Sequence, residues 1–314
     1  MLTILAPMDD VTDTVFRRIV ADCASADYTV TEFVNVDGLC SRGRDKVIRK
    51  LGVELDTTPV IAQIWGKTPE NFETIAREIA EGIIPGFVGV DLNFGCPEKG
   101  VVKNECCSAM QQPHLREKAR AIIDATQRGL GNKLPLSIKT RLGFDQIDYS
   151  WHEFLLGFNP SMLTVHVRTT RQMSKVPALW EAILPIIELR DSISPDTKII
   201  MNGDIIDAKH GKELAEKYGV DGIMIGRGVF HNPYCFADDA QVIWESMTKE
   251  DRIALLVRHV EMHVTNYPND ERPFNPLKKF AKVYINGFPG ASELRDKIMH
   301  TNSADELFNM LRDQ

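Results

Sequence analysis

Apolar residues along this chain come in short runs, and most runs give way to a longer stretch in which apolar positions recur every three or four residues. The runs LTILA (2–6), TVTEFV (29–34), PVIAQIW (59–65), FVGVDLN (87–93), LPLSIKT (134–140), MLTVHV (162–167), KIIMNG (198–203) and DGIMIG (221–226) read as buried strands. Between them lie helical patterns such as TPENFETIAREIAEG (68–82) and QPHLREKARAIIDATQRG (112–129). In the first, Thr68 stands as the cap and Pro69 at the first helical position. Strands alternating with helices make a parallel sheet, and eight strands is the number that closes a (β/α)8 TIM barrel. The alternative is an open doubly wound sheet, but no G-x-G-x-x-G follows the first strand.

After about residue 235 the alternation stops. KEDRIALLVRHVEMHV (249–264) reads as an amphipathic helix, NYPNDERPFNP (266–276) as a linker, and PLKKFAKVYINGF (276–288) and ASELRDKIMH (291–300) as further helices. The expected organisation is an α/β barrel over residues 1–240 and a small all-helical C-terminal domain over 241–314 with its own core.

The strand ends carry the chemistry. In order they are Ala6-Pro7-Met8, Glu32, Gln63, Asn93 to Cys96, Lys139 with Arg141, His166 with Arg168, Asn202-Gly203-Asp204, and Gly226-Arg227. In a closed barrel the C-terminal strand ends converge on one face, where active sites of this architecture sit.

Composition is that of an ordinary globular protein, with no apolar run long enough to cross a bilayer. MLTILAPMDD has no basic leader region and turns acidic within ten residues, so no signal peptide is expected there. The six cysteines form no C-x-x-C pair, which suits reduced thiols in a cytoplasmic protein. Net charge is −7, yet SRGRDKVIRK (41–50) holds five bases against one acid, and the segment from Gln241 onward holds eleven acids against ten bases. Bulk acidity therefore leaves room for local basic surface.

Loops after the seventh and eighth barrel strands are the usual phosphate clasp of this fold; here they read MNGDI (201–205) and IGRGVF (225–230). Gly203 and Gly226 permit close backbone approach, and Arg227 adds a fixed cation. Pro7-Met8 offers an apolar ledge, Gln63 can donate to and accept from a heterocycle, and Lys139 can stabilise negative charge on a ring. Flavin mononucleotide fits that ensemble. In DLNFGCPEKGVVKNECC (91–107), Cys96 precedes a proline that cannot continue a strand ladder, and a thiol near cations is a candidate proton donor. Cys106 and Cys107 are read as structural. His259 and His263, four apart on a helix, lack a third ligand, so no metal is expected.

LAPMDDVTD (5–13), TEFV (31–34), AQIWG (62–66), GVDLNFGCPEKGVVK (89–103), SIKTRLG (137–143), HVRTTRQ (166–172), MNGDI (201–205) and DGIMIGRG (221–228) resemble, in order and spacing, the motifs of the tRNA-dihydrouridine synthases. The tail FNPLKKFAKVYINGFPGASELRDKI (274–298) is similar to that family's helical RNA-binding domain. The resemblance implies an FMN-bearing barrel that reduces the C5–C6 bond of uridines in tRNA, with NADPH re-reducing the flavin. Carried over by position, it implies flavin contacts at Pro7, Met8, Asp9, Gln63, Lys139, His166, Asn202, Gly203, Asp204, Gly226 and Arg227. Cys96 is the implied acid and Asn93 a neighbour of the substrate base. Glu32, Arg168, Arg171, Lys278, Lys279 and Lys282 complete the expected substrate and tRNA contacts. A cytoplasmic monomer is expected, and the opening is most similar to the bacterial type acting on position sixteen.

The chain departs from the family pattern at Asn104-Glu105-Cys106-Cys107, where small residues and glycines are usual, and at Val167, Ser174 and Val176. Two other readings compete. One is a flavin barrel reducing a small molecule, of dihydroorotate or enoate type; the other is a tRNA-binding relic without redox activity.

Overall fold

The computed structural model describes residues 1–268, 272 and 274–312. Eight parallel strands form the barrel: β1 (Leu2–Leu5), β2 (Tyr28–Val30), β3 (Val60–Trp65), β4 (Phe87–Asn93), β5 (Leu136–Arg141), β6 (Met162–His166), β7 (Lys198–Asn202) and β8 (Gly222–Ile225). Each pairs with its successor, and β8 returns to β1 with Leu2 opposite Gly222 and Leu5 opposite Ile225, which closes the sheet. Ile4, Ala6, Val30, Ile61, Ile200 and Met224 form an apolar cluster from or just beyond the five neighbouring strands β7, β8, β1, β2 and β3. The expected strand 29–34 is cut in two, because only a bridge at Val34–Asn35 rejoins β3. At the break, the Thr31 hydroxyl rather than a backbone carbonyl accepts the Gln63 N–H (3.0 Å).

The helices are α1 (Thr14–Cys23), α2 (Pro69–Ala80), α3 (Arg116–Leu130), α4 (Tyr149–Leu156), α5 (Leu184–Ile193), α6 (Ala208–Tyr218) and α7 (Ala240–Ser246). Helix α2 buries Phe72, Ile75, Ala76 and Ile79, the stripe that a 3.6-residue period dictates. Thr68 occupies its cap position, but the hydroxyl makes no cap hydrogen bond; Asp13 and Asp207 do cap α1 and α6 through their carboxylates. Helices α2 and α3 cross at Gly129, where a Cβ would lie 2.3 Å from the Glu73 carbonyl oxygen. Any side chain there would force them apart.

In the C-terminal region, α8 (Lys249–Asn266) begins with a reciprocal cap between Thr248 and Asp251. The expected helix 276–288 instead falls into short pieces, Phe274–Leu277, Lys278–Phe280 and Ala281–Tyr284. The last ends where the Asn286 amide donates to the Lys282 and Val283 carbonyls (3.1 and 2.9 Å). Two more helices follow, α9 (Ala291–His300) and α10 (Ala304–Arg312). Of the expected linker 266–276, residues 269–271 and 273 lie outside the described residues.

The apolar side chains of the C-terminal helices pack in continuity with those of the barrel's outer helices. Phe16 of α1 sits 4.8 Å from Phe280 and 5.8 Å from His259 between ring centroids, and the buried apolar cluster runs on from the barrel helices to Leu256, Val260, Tyr284 and Leu307. The expected boundary at 240/241 falls on the first residue of α7. His259 is a core residue, its Nδ1 3.0 Å from the Tyr284 hydroxyl, and burial drives its pKa down to about 3. Among the described residues no helix is long and apolar enough to cross a membrane.

Candidate active site

A cavity of about 580 Å³ opens at the C-terminal end of the barrel. Its wall includes Pro7 and Met8 after β1, Phe33 after β2, Gln63 from β3, and Asn93, Cys96 and Pro97 at the end of β4. Lys139 and Arg141 come from β5, His166 from β6, Asn202, Gly203 and Asp204 from β7, and Gly226, Arg227 and His231 from the β8 side. All the sequence-derived flavin contacts line it except Asp9. Asp9 is exposed and pairs with Lys50 at the rim.

Below the cavity a chain of buried polar groups sets amide orientations. The Asp91 carboxylate accepts from Ser137 Oγ and Gln63 Nε2, both at 2.7 Å. A carboxylate only accepts, so Gln63 must turn its NH2 toward Asp91, leaving Oε1 to accept from Asn93 Nδ2 (2.9 Å). Asn93 Oδ1 in turn accepts the backbone N–H groups of Gly95 and Cys96 (3.0 and 2.9 Å). Burial pushes the Asp91 pKa up to about 6, against the pull of Ser137, Gln63 and Lys139.

The turn that carries Cys96 is held from three sides. Arg141 Nε donates to the Gly95 carbonyl (2.6 Å), and the Ser108 N–H donates to the Cys96 carbonyl (3.3 Å), with Asn93 holding the N–H groups. Burial raises the Cys96 pKa above its ordinary thiol value, although the Glu98 N–H and the Arg141 charge oppose the shift. A thiol in that state keeps its proton at neutral pH. Lys139 Nζ lies 3.3 Å from Asn202 Oδ1; burial, with the Arg141 charge added, lowers its pKa to about 8, so it is mostly cationic at pH 7. Sequence reading had Arg141 at a strand end without a role; Phe33 entered only as part of TEFV, and His231 gave no signal, its position being revealed only by the closed barrel.

On the opposite wall Gly203 (φ +126°) lets the chain turn under the imidazole of His166, where a Cβ would come within 3.1 Å of Cδ2. Asp204 binds Arg227 NH2 through Oδ1 (2.9 Å), and Arg168 NH2 and the Ala178 N–H (3.0 Å) through Oδ2.

Several expected tRNA contacts stand elsewhere. Arg168 is 2% exposed and offers nothing to a surface ligand. Glu32 is fully buried; its carboxylate accepts from the Asp10 N–H (2.7 Å) and from Arg272 (2.8 and 3.0 Å), which also pairs with Asp13 (3.2 Å). Burial opposes the Arg272 charge, but the bonds to Glu32 and the field of Asp13 outweigh it and hold the guanidinium above its ordinary pKa. Lys278 spends its ammonium on the Met299 and Thr301 carbonyls at the end of α9 (3.1 and 2.9 Å). Lys279, Lys282 and Arg171 are exposed, Arg171 paired with Asp145. In the loop after Cys96, Glu105 pairs with Lys118 (3.3 Å), and Cys106 and Cys107 are buried free thiols.

Solved structures share the fold. Histamine dehydrogenase from Rhizobium sp. 4-9 aligns with a TM-score of 0.52 at 11% identity over 83% of this chain and 48% of its own. A 6-hydroxypseudooxynicotine amine oxidase from Pseudomonas geniculata N1 aligns with a TM-score of 0.53 at 9% identity over 74% and 46%. The chain thus spans about half the length of each. By sequence, it is 43% identical over 315 residues to the probable tRNA-dihydrouridine synthase 2 of Bacillus subtilis (strain 168), covering 99% of this chain and 93% of that one. It is also 43% identical over 308 residues to the probable tRNA-dihydrouridine synthase of Staphylococcus aureus (strain COL), covering 96% and 90%. The family model for dihydrouridine synthase matches residues 4–314. The chain belongs to the dihydrouridine synthase family.

Proposed function

We propose that this protein is a cytoplasmic, monomeric tRNA-dihydrouridine synthase that holds FMN at the barrel mouth, draws reducing power from NADPH and protonates the substrate from Cys96. The observation that carries the reading is a half-buried thiol on a hydrogen-bonded turn, at a cavity walled by Gln63, Lys139, His166 and a two-glycine clasp. The donor set suits the cofactor: a ledge at Pro7 and Met8 for a flat ring, Gln63 for a heterocycle edge, and the Gly203 and Gly226 loops with Arg227 for a phosphate. A Cβ at Gly226 would lie in ordinary contact with Ala6 and Met8 (3.6 and 3.9 Å), which places this glycine directly beside that ledge.

Bound there, the flavin supplies the hydride that saturates the uracil C6, and NADPH restores it. The chain does the rest. Lys139 brings a cation into a water-poor mouth and stabilises negative charge on the ring system. Asn93, with its oxygen held by two N–H groups, stands next to Cys96 at the position facing the base. Cys96 Sγ–H breaks as the C5–H bond forms, and the thiolate left behind is supported by Arg141 and the Glu98 N–H until solvent returns the proton. A uridine reaches this mouth only by leaving its stack.

Mass-spectrometric mapping of dihydrouridine in tRNA from cells with and without the gene tests the reading. The expected result is loss of dihydrouridine at defined positions together with a yellow purified protein. Unchanged tRNA, with turnover of a free enone or dihydropyrimidine, would replace it by a small-molecule flavin reductase.

A further inference from the structure

His166 ends β6, and two residues on Arg168 turns back beneath it. The guanidinium is 2% exposed and wholly committed: Nε donates to the Val176 carbonyl (2.7 Å), NH2 to Asp204 Oδ2, and NH1 to His166 Nε2 (3.0 Å). An arginine has donors only. The imidazole nitrogen that meets it must therefore be bare, which puts the ring proton on Nδ1.

We propose that Arg168 is a positioning residue that locks His166 as its neutral Nδ1–H tautomer, so that the imidazole faces the cavity as a hydrogen-bond donor to a carbonyl or ring nitrogen of the bound heterocycle. Three observations converge on this. His166 lines the cavity, and its Nδ1 has no partner among the described residues. The Cδ2 edge of the ring lies over Gly203, where a Cβ would come within 3.1 Å, so this seating beside Arg168 requires a residue without a side chain there. A second proton is excluded by the surroundings: burial comes first, and Arg141, Lys139, Arg168 and Arg227 all face the ring, while the Asp204 carboxylate is taken up by Arg168 and Arg227. Both states that would spoil a donor of fixed direction, the imidazolium and the Nε2–H form, are thereby disfavoured. The tautomer stands independently of what the cavity binds; its use toward a flavin or uracil rests on the function proposed above.

The test is long-range proton–nitrogen correlation NMR on the full chain labelled in its eight histidines, with His166 assigned by its absence in His166→Gln. Expected is a protonated, pyrrole-like Nδ1 and a bare, pyridine-like Nε2, unchanged between about pH 5.5 and about pH 8.5. A protonated Nε2, or a ring that titrates in that window, overturns the proposal from the unmodified protein alone. In Arg168→Met, which keeps bulk and loses every donor, the two nitrogens should move toward averaged shifts, and flavin affinity should fall roughly tenfold, the scale of one directed hydrogen bond. Arg168→Lys keeps the charge without the fork and should hold the ring neutral while releasing the tautomer. Spectra of Arg168→Met identical to those of the parent would refute the lock. A colourless protein or unmodified tRNA would count against the function and leave these shifts untouched.

Discussion

A thiol that gives up its proton only in the reaction must be kept from losing it beforehand, and burial does this for Cys96. Cys96→Ala should keep its yellow colour and its reduction by NADPH while dihydrouridine formation drops by about two to four orders of magnitude, as expected for loss of a general acid; product assays beside the flavin absorbance decide it. Asp91 shows the opposite economy. Its raised pKa means that the folded chain holds a proton which the unfolded chain has already released between about pH 4 and about pH 6, so stability falls as pH rises through that window. Asp91→Asn should therefore match the parent near pH 4 and exceed it by about 3 kcal/mol at pH 7 in urea unfolding, while losing activity because Gln63 and Asn93 are no longer oriented by an obligate acceptor. If the variant gains nothing at pH 7, the charge is not being held at a cost. At this scale the sequence was legible as position: strand ends marked Cys96, Lys139 and Gln63 as facing one mouth, and all three line the cavity. It did not show that Glu32 and Arg168 are buried on counter-charges, because a charged residue near a mouth looks the same in sequence whether it faces solvent or a buried partner.

Among the elements, strands were the most readable, since a parallel strand covered on both faces is a plain apolar run. The break after β2 was not, because it depends on a hydroxyl replacing a carbonyl in the ladder. The segment 276–288 has helical periodicity throughout, yet tight turns and an asparagine that takes back-bonds divide it. Arg272 was hidden in what reads as a linker, although it joins that segment to Asp13 and Glu32 on the barrel. Removing it strands two buried carboxylates, so Arg272→Met should cost about 3–5 kcal/mol at neutral pH. The loss should shrink as pH falls, because burial already raises the Asp13 pKa and protonation there removes one stranded charge, and Glu32→Gln in the same chain should recover part of it. Chemical denaturation at two pH values would show this, and a penalty independent of pH would mean that packing rather than charge carries the contact.

For the molecule as a whole, a net charge of −7 and an RNA substrate are compatible only if binding is local. Lys279 and Lys282 are exposed on the C-terminal face. Changing each to Ala should weaken tRNA binding uniformly across tRNAs and reduce the slope of log affinity against log salt by about one per residue, with flavin content unchanged. Anisotropy titrations over a salt series measure both quantities, and an unaltered slope would move the RNA surface elsewhere.

The order of architectural parts was readable along the chain, but their independence was not. Phe16 is shared: its ring belongs to a barrel helix and meets Phe230 of the barrel region as well as Phe280 and His259 of the tail. Two regions that own a wall in common cannot fail one at a time. On heating, calorimetry should record a single endotherm whose van't Hoff and calorimetric enthalpies agree, with no early melting of the tail. A gene cut at the apparent seam would yield two insoluble halves in place of an enzyme and a separate RNA clamp.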